Sequence, residues 1–239
     1  MGFGKAAELA ASLKPPLWGL CILAAFMDIF FNSLVRTFLG FPLFLDTVFT
    51  ATITFAFGLV PGILVAVLGY VVAGFYYGRF HFFVICSIAE VFLIYALKPK
   101  PTAVPYFSSR ERIIAAYTGI AARLIVLYFA CAIAISVLGG TIEYATHLFL
   151  GIQLNYLSPE DIFRPALIMA NLPFIAENIL ARIPVNLVGR FAVVFGGYFA
   201  SLGLVWLLRR TATIGGAAVA SLLKSAEKAY SKDGKGDME

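Results

Sequence analysis

From Phe41 to Tyr77 the chain runs about 37 residues with one acid, Asp46, and meets no base until Arg79. As a single helix this segment would extend roughly 55 Å, well beyond a hydrocarbon core of about 30 Å. Pro61-Gly62 near its middle is the natural reversal point. The segment therefore predicts a hairpin of two membrane-spanning helices, with its one acid inside lipid depth.

Composition agrees with that constraint. Of 239 residues 61% are hydrophobic and 13% charged, and the mean hydropathy is +0.92. Soluble domains carry about 45–50% apolar and about 25% charged residues. The net charge of +5 does not point to nucleic acid, because the bases sit in short loops and at the termini, where positive loops orient membrane proteins. Cys21, Cys86 and Cys131 lie scattered in apolar runs and form neither a disulfide framework nor a zinc spacing. His81 and His147 lack any HExxH context, so no metal or cofactor is expected. The first apolar run, from Leu17 to about Val35, is longer than the core of a signal peptide and is expected to stay in the mature protein.

The expected fold is all-α: a polytopic membrane protein with a bundle of six transmembrane helices. The spans are Leu17–Val35, Leu43–Gly58, Gly62–Tyr77, Phe80–Leu97, Ile113–Leu138 and Pro184–Leu208. Before the last helix lies a long loop, Gly139–Ile183. Its stretch Ile162–Leu180, broken by Pro165, Pro173 and Glu177, reads as an interfacial or re-entrant element. Residues 1–16 form an N-terminal segment, 17–210 the membrane domain and 211–239 a basic tail with a short surface helix around Ala217–Tyr230. With six spans, Lys5, Lys14, Lys98, Lys100, Arg110, Arg112, Arg209, Arg210 and the four lysines of the tail fall on one side. Only Arg36, Arg79, Arg164 and Arg182 fall on the other. That bias puts both termini in the cytoplasm.

Charges at membrane depth are costly and face a cavity or a partner. Asp28, Asp46, Glu90, Arg123 and Arg190 fall within spans, with Glu143 and Glu177 close to the outer surface. Most gather in the outer half, beneath the long loop. Two readings stand: an outward-opening polar pocket, or an ion pair, such as Arg190 with Asp46 or Glu177, that locks helices together. The pocket candidates are Asp46, Glu90, Asn186 and Arg190, with Glu143, Glu177 and Asn178 on the loop as a lid. Tyr70, Tyr144, Tyr156 and Phe174 are aromatic candidates for stacking on a planar ligand. Small residues recur at packing intervals: Gly58, Gly62, Ala66 and Ala73; Ala192, Gly196 and Ala200; Cys21 and Ala25. They serve internal packing or docking onto another membrane protein. No GxxxxGK[ST], GxSxG, HExxH or kinase signature is present, and no clear internal repeat of the kind found in secondary transporters. A binding subunit, not an enzyme, is the expectation; a membrane-embedded enzyme has only the intramembrane acids in its favour.

Phe41-Pro42-Leu43-Phe44-Leu45-Asp46-Thr47, followed by Gly58, Pro61 and Gly62, resembles the entry to span two and the turn into span three of the substrate-binding S components of energy-coupling factor (ECF) transporters. Ile183-Pro184-Val185-Asn186-Leu187-Val188-Gly189-Arg190-Phe191 is similar to a second stretch of that family, in which relatives often carry an acid where this chain has Gly189. The family's AxxxA motif on span one, which docks to the transmembrane coupling subunit, is approximated by Cys21 and Ala25. The resemblance, spanning about Leu17 to Arg210, implies a lipid-embedded bundle in a bacterial cytoplasmic (inner) membrane. It would bind a vitamin-like small molecule or another micronutrient for uptake. Its partners would be a coupling subunit and two ATPases on other chains. The rival is a sensory or interaction module built on the same bundle, without transport.

Overall fold

The computed structural model describes residues 15–39, 45–77, 82–99, 110–150, 162–212 and 217–234, and all structural statements concern these. Phe41–Phe44, Arg79–His81 and Tyr156, which figured in the sequence readings, lie outside them. In chain order the helices are α1 (Pro15–Leu39), α2 (Val48–Phe57), α3 (Leu59–Tyr77), α4 (Val84–Leu97), α5 (Arg110–Leu150), α6 (Arg164–Met169) and α7 (Phe174–Phe191). A π-helical turn (Ala192–Gly196), α8 (Gly197–Ala212) and α9 (Ala217–Gly234) follow. No strand occurs among the described residues. The fold is all-helical, as expected.

Three stretches are long and apolar enough to cross a membrane: Pro16–Val35, Ile114–Phe149 and Phe174–Arg210. Three more apolar helices, Val48–Phe57, Leu59–Phe75 and Val84–Leu97, are shorter. Large apolar side chains point outward all round, among them Phe26, Phe30, Phe75, Phe129, Phe199 and Trp206. A water-soluble surface would not display them so densely. The helices fit a membrane protein.

α2 is the hub. It packs against α1, α3, α4, α8, α9 and the π turn, and every residue from Thr50 to Phe57 is buried. Thr52 and Thr54 donate their hydroxyls to the Val48 and Thr50 carbonyls one turn back, at 2.9 and 2.7 Å, so neither is left unpaired in apolar surroundings. The chain reverses at Gly58, whose φ of 89° is open to glycine alone at little cost. Pro61-Gly62, the expected reversal point, instead lies in the first turn of α3, where proline's missing N–H costs no helical bond.

The last third departs further from the sequence reading. Span five does not stop at Leu138 but continues to Leu150, and the last helix begins at Phe174, not Pro184. α5 and α7 form the most extensive pairing in the bundle. Gly139-Gly140 therefore marks a close approach of two helices, not a helix end. A Cβ at Gly140 would lie 2.8 Å from the Ile179 backbone nitrogen and Cα. The proposed re-entrant element Ile162–Leu180 divides in two. α6 is a six-residue helix; the chain breaks at Asn171 (φ 53°) and Pro173, and the rest is the first part of α7. Pro184 sits inside α7, with no N–H for the carbonyl one turn back.

The π turn shifts the face that α8 presents. Val193, Val194 and Ser201 are buried, whereas Gly196 and Ala200 face outward. The expected Ala192-Gly196-Ala200 packing stripe is thus not the packed face. The opposite holds on α1, where Cys21 and Ala25 are buried and the Cys21 thiol lies 4.0 Å from the Pro61 carbonyl oxygen. α9 is the expected tail helix, four residues longer at its C-terminal end. It docks by Ala226, flanked by Val219, Leu222 and Leu223, on a cluster containing Leu17, Cys21, Ile53, Phe57 and Leu208. Lys224 and Lys228 stay exposed.

Gly140→Ala should force α5 and α7 apart and lower stability by about 1–3 kcal/mol. Thermal unfolding of the detergent-purified protein measures it. Gly119→Ala, whose Cβ meets nothing within 4 Å, should cause no such loss.

Candidate functional site

The first turn of α2 needs acceptors for its backbone N–H groups. Thr47, at the N-cap, does not supply one from its own side chain. Asp28, reaching across from α1, does. Its Oδ1 accepts from the Phe49 N–H at 2.7 Å, and its Oδ2 from the Thr50 N–H at 2.9 Å and the Thr50 hydroxyl at 2.7 Å. A carboxylate there also faces the positive end of the helix dipole.

Thr47 is left to bridge other helices. Its hydroxyl donates to Glu90 Oε2 on α4 at 2.8 Å and accepts from Arg190 Nη1 on α7 at 2.7 Å. Arg190 Nη1 also donates to the same Glu90 oxygen. Arg190 Nη2 lies 3.9 Å from Asp46 Oδ1. Glu90 is 1% exposed and Arg190 4%, so neither charge could stay here without the other.

A second charged group sits nearby. Glu143 on α5 accepts from Arg164 Nη2 at 3.0 Å and from Arg182 Nη2 at 2.7 Å. It thereby fastens α6 to the α5–α7 pair. The Arg182 guanidinium lies 5.2 Å from the centre of the Phe83 ring. Arg164 and Arg182, counted from the sequence as outer-loop bases, are both buried side chains on helices.

Two adjoining cavities open among these residues. The first, about 150 Å³, is lined by Asp28, Asn32, Asp46, Thr47, Thr50, Tyr70 and Ser87, among others. The second, about 190 Å³, is lined by Asp46, Tyr70, Ser87, Glu90, Arg182, Asn186 and Arg190, with Phe83, Cys86, Ile135 and Gly139. Asp46, Tyr70 and Ser87 border both. Each falls below the range of about 300–1,000 Å³ typical of ligand pockets, and the pair reaches its lower end. Their walls come from the later half of α1, the middle of α3, the starts of α2 and α4, and the second halves of α5 and α7. That is the end of the bundle remote from Leu17 and Leu208.

Four residues that line the second cavity carry a buried polar atom with no hydrogen-bond partner in the protein: Asp46 Oδ1, Glu90 Oε1, Asn186 Oδ1 and Arg190 Nε. The orientation of Asn186 follows from its neighbour. Ser136 spends its hydroxyl hydrogen on the Ala132 carbonyl at 2.7 Å. It therefore offers Asn186 only a lone pair, which the Asn186 amide nitrogen meets at 3.0 Å. The Asn186 carbonyl oxygen is left over.

Of the seven candidate residues, Asp46, Glu90, Asn186 and Arg190 line one cavity. Glu143 stands behind it, holding Arg182. Glu177 and Asn178 line neither cavity; both are buried in the first turns of α7, where Asn178 donates to the Phe174 carbonyl at 2.8 Å. Tyr144 and Phe174 pack on each other, ring centres 5.9 Å apart, and of the aromatic candidates among the described residues only Tyr70 reaches the cavities. Arg190 pairs with Glu90 and approaches Asp46, not Glu177. Arg123 is exposed beside Leu97, away from the site. The pocket candidates read from the sequence left out Asp28, Thr47, Thr50, Ser87 and Arg182. Two of these carried a signal: Asp28 as an acid inside an apolar run, and Thr47 in the stretch that resembles the entry to span two. Among the described residues no three His, Cys, Asp or Glu side chains are placed to hold a metal ion.

No protein-family model, curated protein or solved structure matches this chain.

Arg190→Met should destabilise by about 3–5 kcal/mol, because Glu90 then stays buried without its cation. Adding Glu90→Gln should recover much of that loss, since the neutral amide still accepts from Thr47. Thermal unfolding of the two variants measures both.

Proposed function

We propose that this chain is a membrane-embedded binding protein for a small polar molecule, working as an uptake subunit in the manner of an ECF S component. The observation that carries the reading is the cavity lined by Asp46, Glu90, Asn186 and Arg190. Buried polar atoms are ordinarily hydrogen-bonded. Here four residues that line one cavity each carry a buried polar atom without a hydrogen-bond partner in the protein, and sites that fix a ligand do so by a few placed polar groups.

In this reading α1, α2, α3, α4, α5 and the α7–α8 run make six crossings, with both termini in the cytoplasm of a bacterium. The bases then lie mostly inside. α2 is only about 15 Å long, so Asp46 at its start sits about half a hydrocarbon core from the Phe57 end. The cavities open outward and reach mid-depth. Transport would draw on a coupling subunit and ATPases supplied by other chains; this chain has no catalytic step of its own. The buried Cys21 and Ala25 leave no exposed AxxxA-like face on α1, so such a partner would meet another surface.

That same burial favours a second reading, a sensor or interaction module without transport. Affinity capture separates the two. Recovery of coupling subunit and ATPases supports uptake, and recovery of a signalling protein supports the rival.

Native mass spectrometry of the gently purified protein should show a retained small molecule. Asp46→Ala and Asn186→Ala should lose it while remaining folded. Retention in both variants would remove the cavity from the reading. Topology is checked separately by membrane-impermeant labelling of Gly2→Cys and Gly236→Cys in spheroplasts. Neither should label until the membrane is opened, and labelling of one alone would refute an even number of crossings.

A further inference from the structure

We infer that the ligand enters with a positively charged, N–H-rich end, such as an amine or amidine, which seats between Asp46 and Tyr70. This rests on the reading of the cavities as a ligand site and names the chemistry that site selects. The unpartnered polar atoms are unbalanced. Asp46 Oδ1, Glu90 Oε1 and Asn186 Oδ1 are acceptors, against one donor, Arg190 Nε. Glu90 and Asn186 are each 1% exposed, so water in bulk does not serve them. As the hydrogen bonds stand, Ser136 donates to the Ala132 carbonyl and accepts from the Asn186 amide nitrogen, which leaves the Asn186 carbonyl over. The surplus is of acceptors, so an occupant that reaches these residues must bring donors.

Charge points the same way. Arg190 is shared by Glu90 and Asp46, two carboxylates for one guanidinium. Arg182 is engaged by Glu143. Asp28 has both oxygens committed to the start of α2. Asp46 is the carboxylate held most loosely, its side chain 43% exposed and its cationic partner 3.9 Å away. It borders both cavities, and the first has no base in its wall. Tyr70 borders both as well, and an aromatic wall beside a carboxylate favours a cation over an anion.

The test reads the sign of the potential with charged thiol reagents. A Cβ at Gly69, on the first cavity, meets nothing within 4 Å, so Gly69→Cys begins its side chain in open space; Ala73→Cys on the same wall is the second reporter. Each variant, in a background lacking Cys21, Cys86 and Cys131, is reacted with the trimethylammonium-ethyl and the sulfonato-ethyl methanethiosulfonates. Rates are divided by those for a small free thiol. The cationic reagent should react about tenfold faster than the anionic one, as a nearby, weakly screened carboxylate produces. Asp46→Asn should abolish most of that ratio. Equal rates, or a faster anionic reagent, would overturn the inference while leaving an open cavity. No reaction of either reagent at either folded reporter would close the cavity to solution and remove the ligand-site reading as well.

Discussion

The bundle depends on satisfying the start of one short helix in apolar surroundings. α2 is buried from Thr50 to Phe57 and its first N–H groups have no bulk water to turn to. Asp28 meets them from a neighbouring helix with three hydrogen bonds. Because the cap is supplied in trans, Thr47 is released to join Glu90 and Arg190. Four elements, α1, α2, α4 and α7, are thus tied by one polar chain running through an otherwise apolar interior. The cavities are the space alongside that chain, so the groups that hold the helices together also line the site.

A buried polar chain of this kind is a poor source of stability compared with apolar packing of the same volume. What it supplies is definition. Glu90, Thr47 and Arg190 each need the others in one arrangement, and the apolar contacts among Ala51, Phe55, Leu127 and Val193 would tolerate several. The second group, Glu143 with Arg164 and Arg182, does the same for the long α5–α7 pairing. Together they account for every charged side chain that lines the second cavity except Asp46, its least committed member.

Much of this was legible in the residues. The apolar run from Phe41 to Tyr77 announced a hairpin of two apolar helices, and the acids and bases inside apolar runs announced an internal polar site. Asp46, Glu90, Asn186 and Arg190 could be grouped because assumed depths placed most of the charged residues within the spans in the outer half. What escaped was whatever depends on a partner helix. Glycine pairs read as breaks until a second helix lies against them, as at Gly139-Gly140. Pro173 and Pro184 look alike in sequence, yet one precedes a helix and the other lies within it. Nothing local shows that Asp28 caps a helix some twenty residues later, nor that Arg182 belongs to a buried cluster.

The wide turn at Ala192–Gly196 carries a bookkeeping consequence for evolution. A π turn accommodates one residue more than the α-helix it interrupts. A homologue with an unbroken helix would be one position shorter between Arg190 and Ser201 for the same packing on both sides. Gapless alignment through this helix would then assign every downstream residue to a neighbouring face, so pairing such sequences correctly calls for a single-residue gap within these five positions.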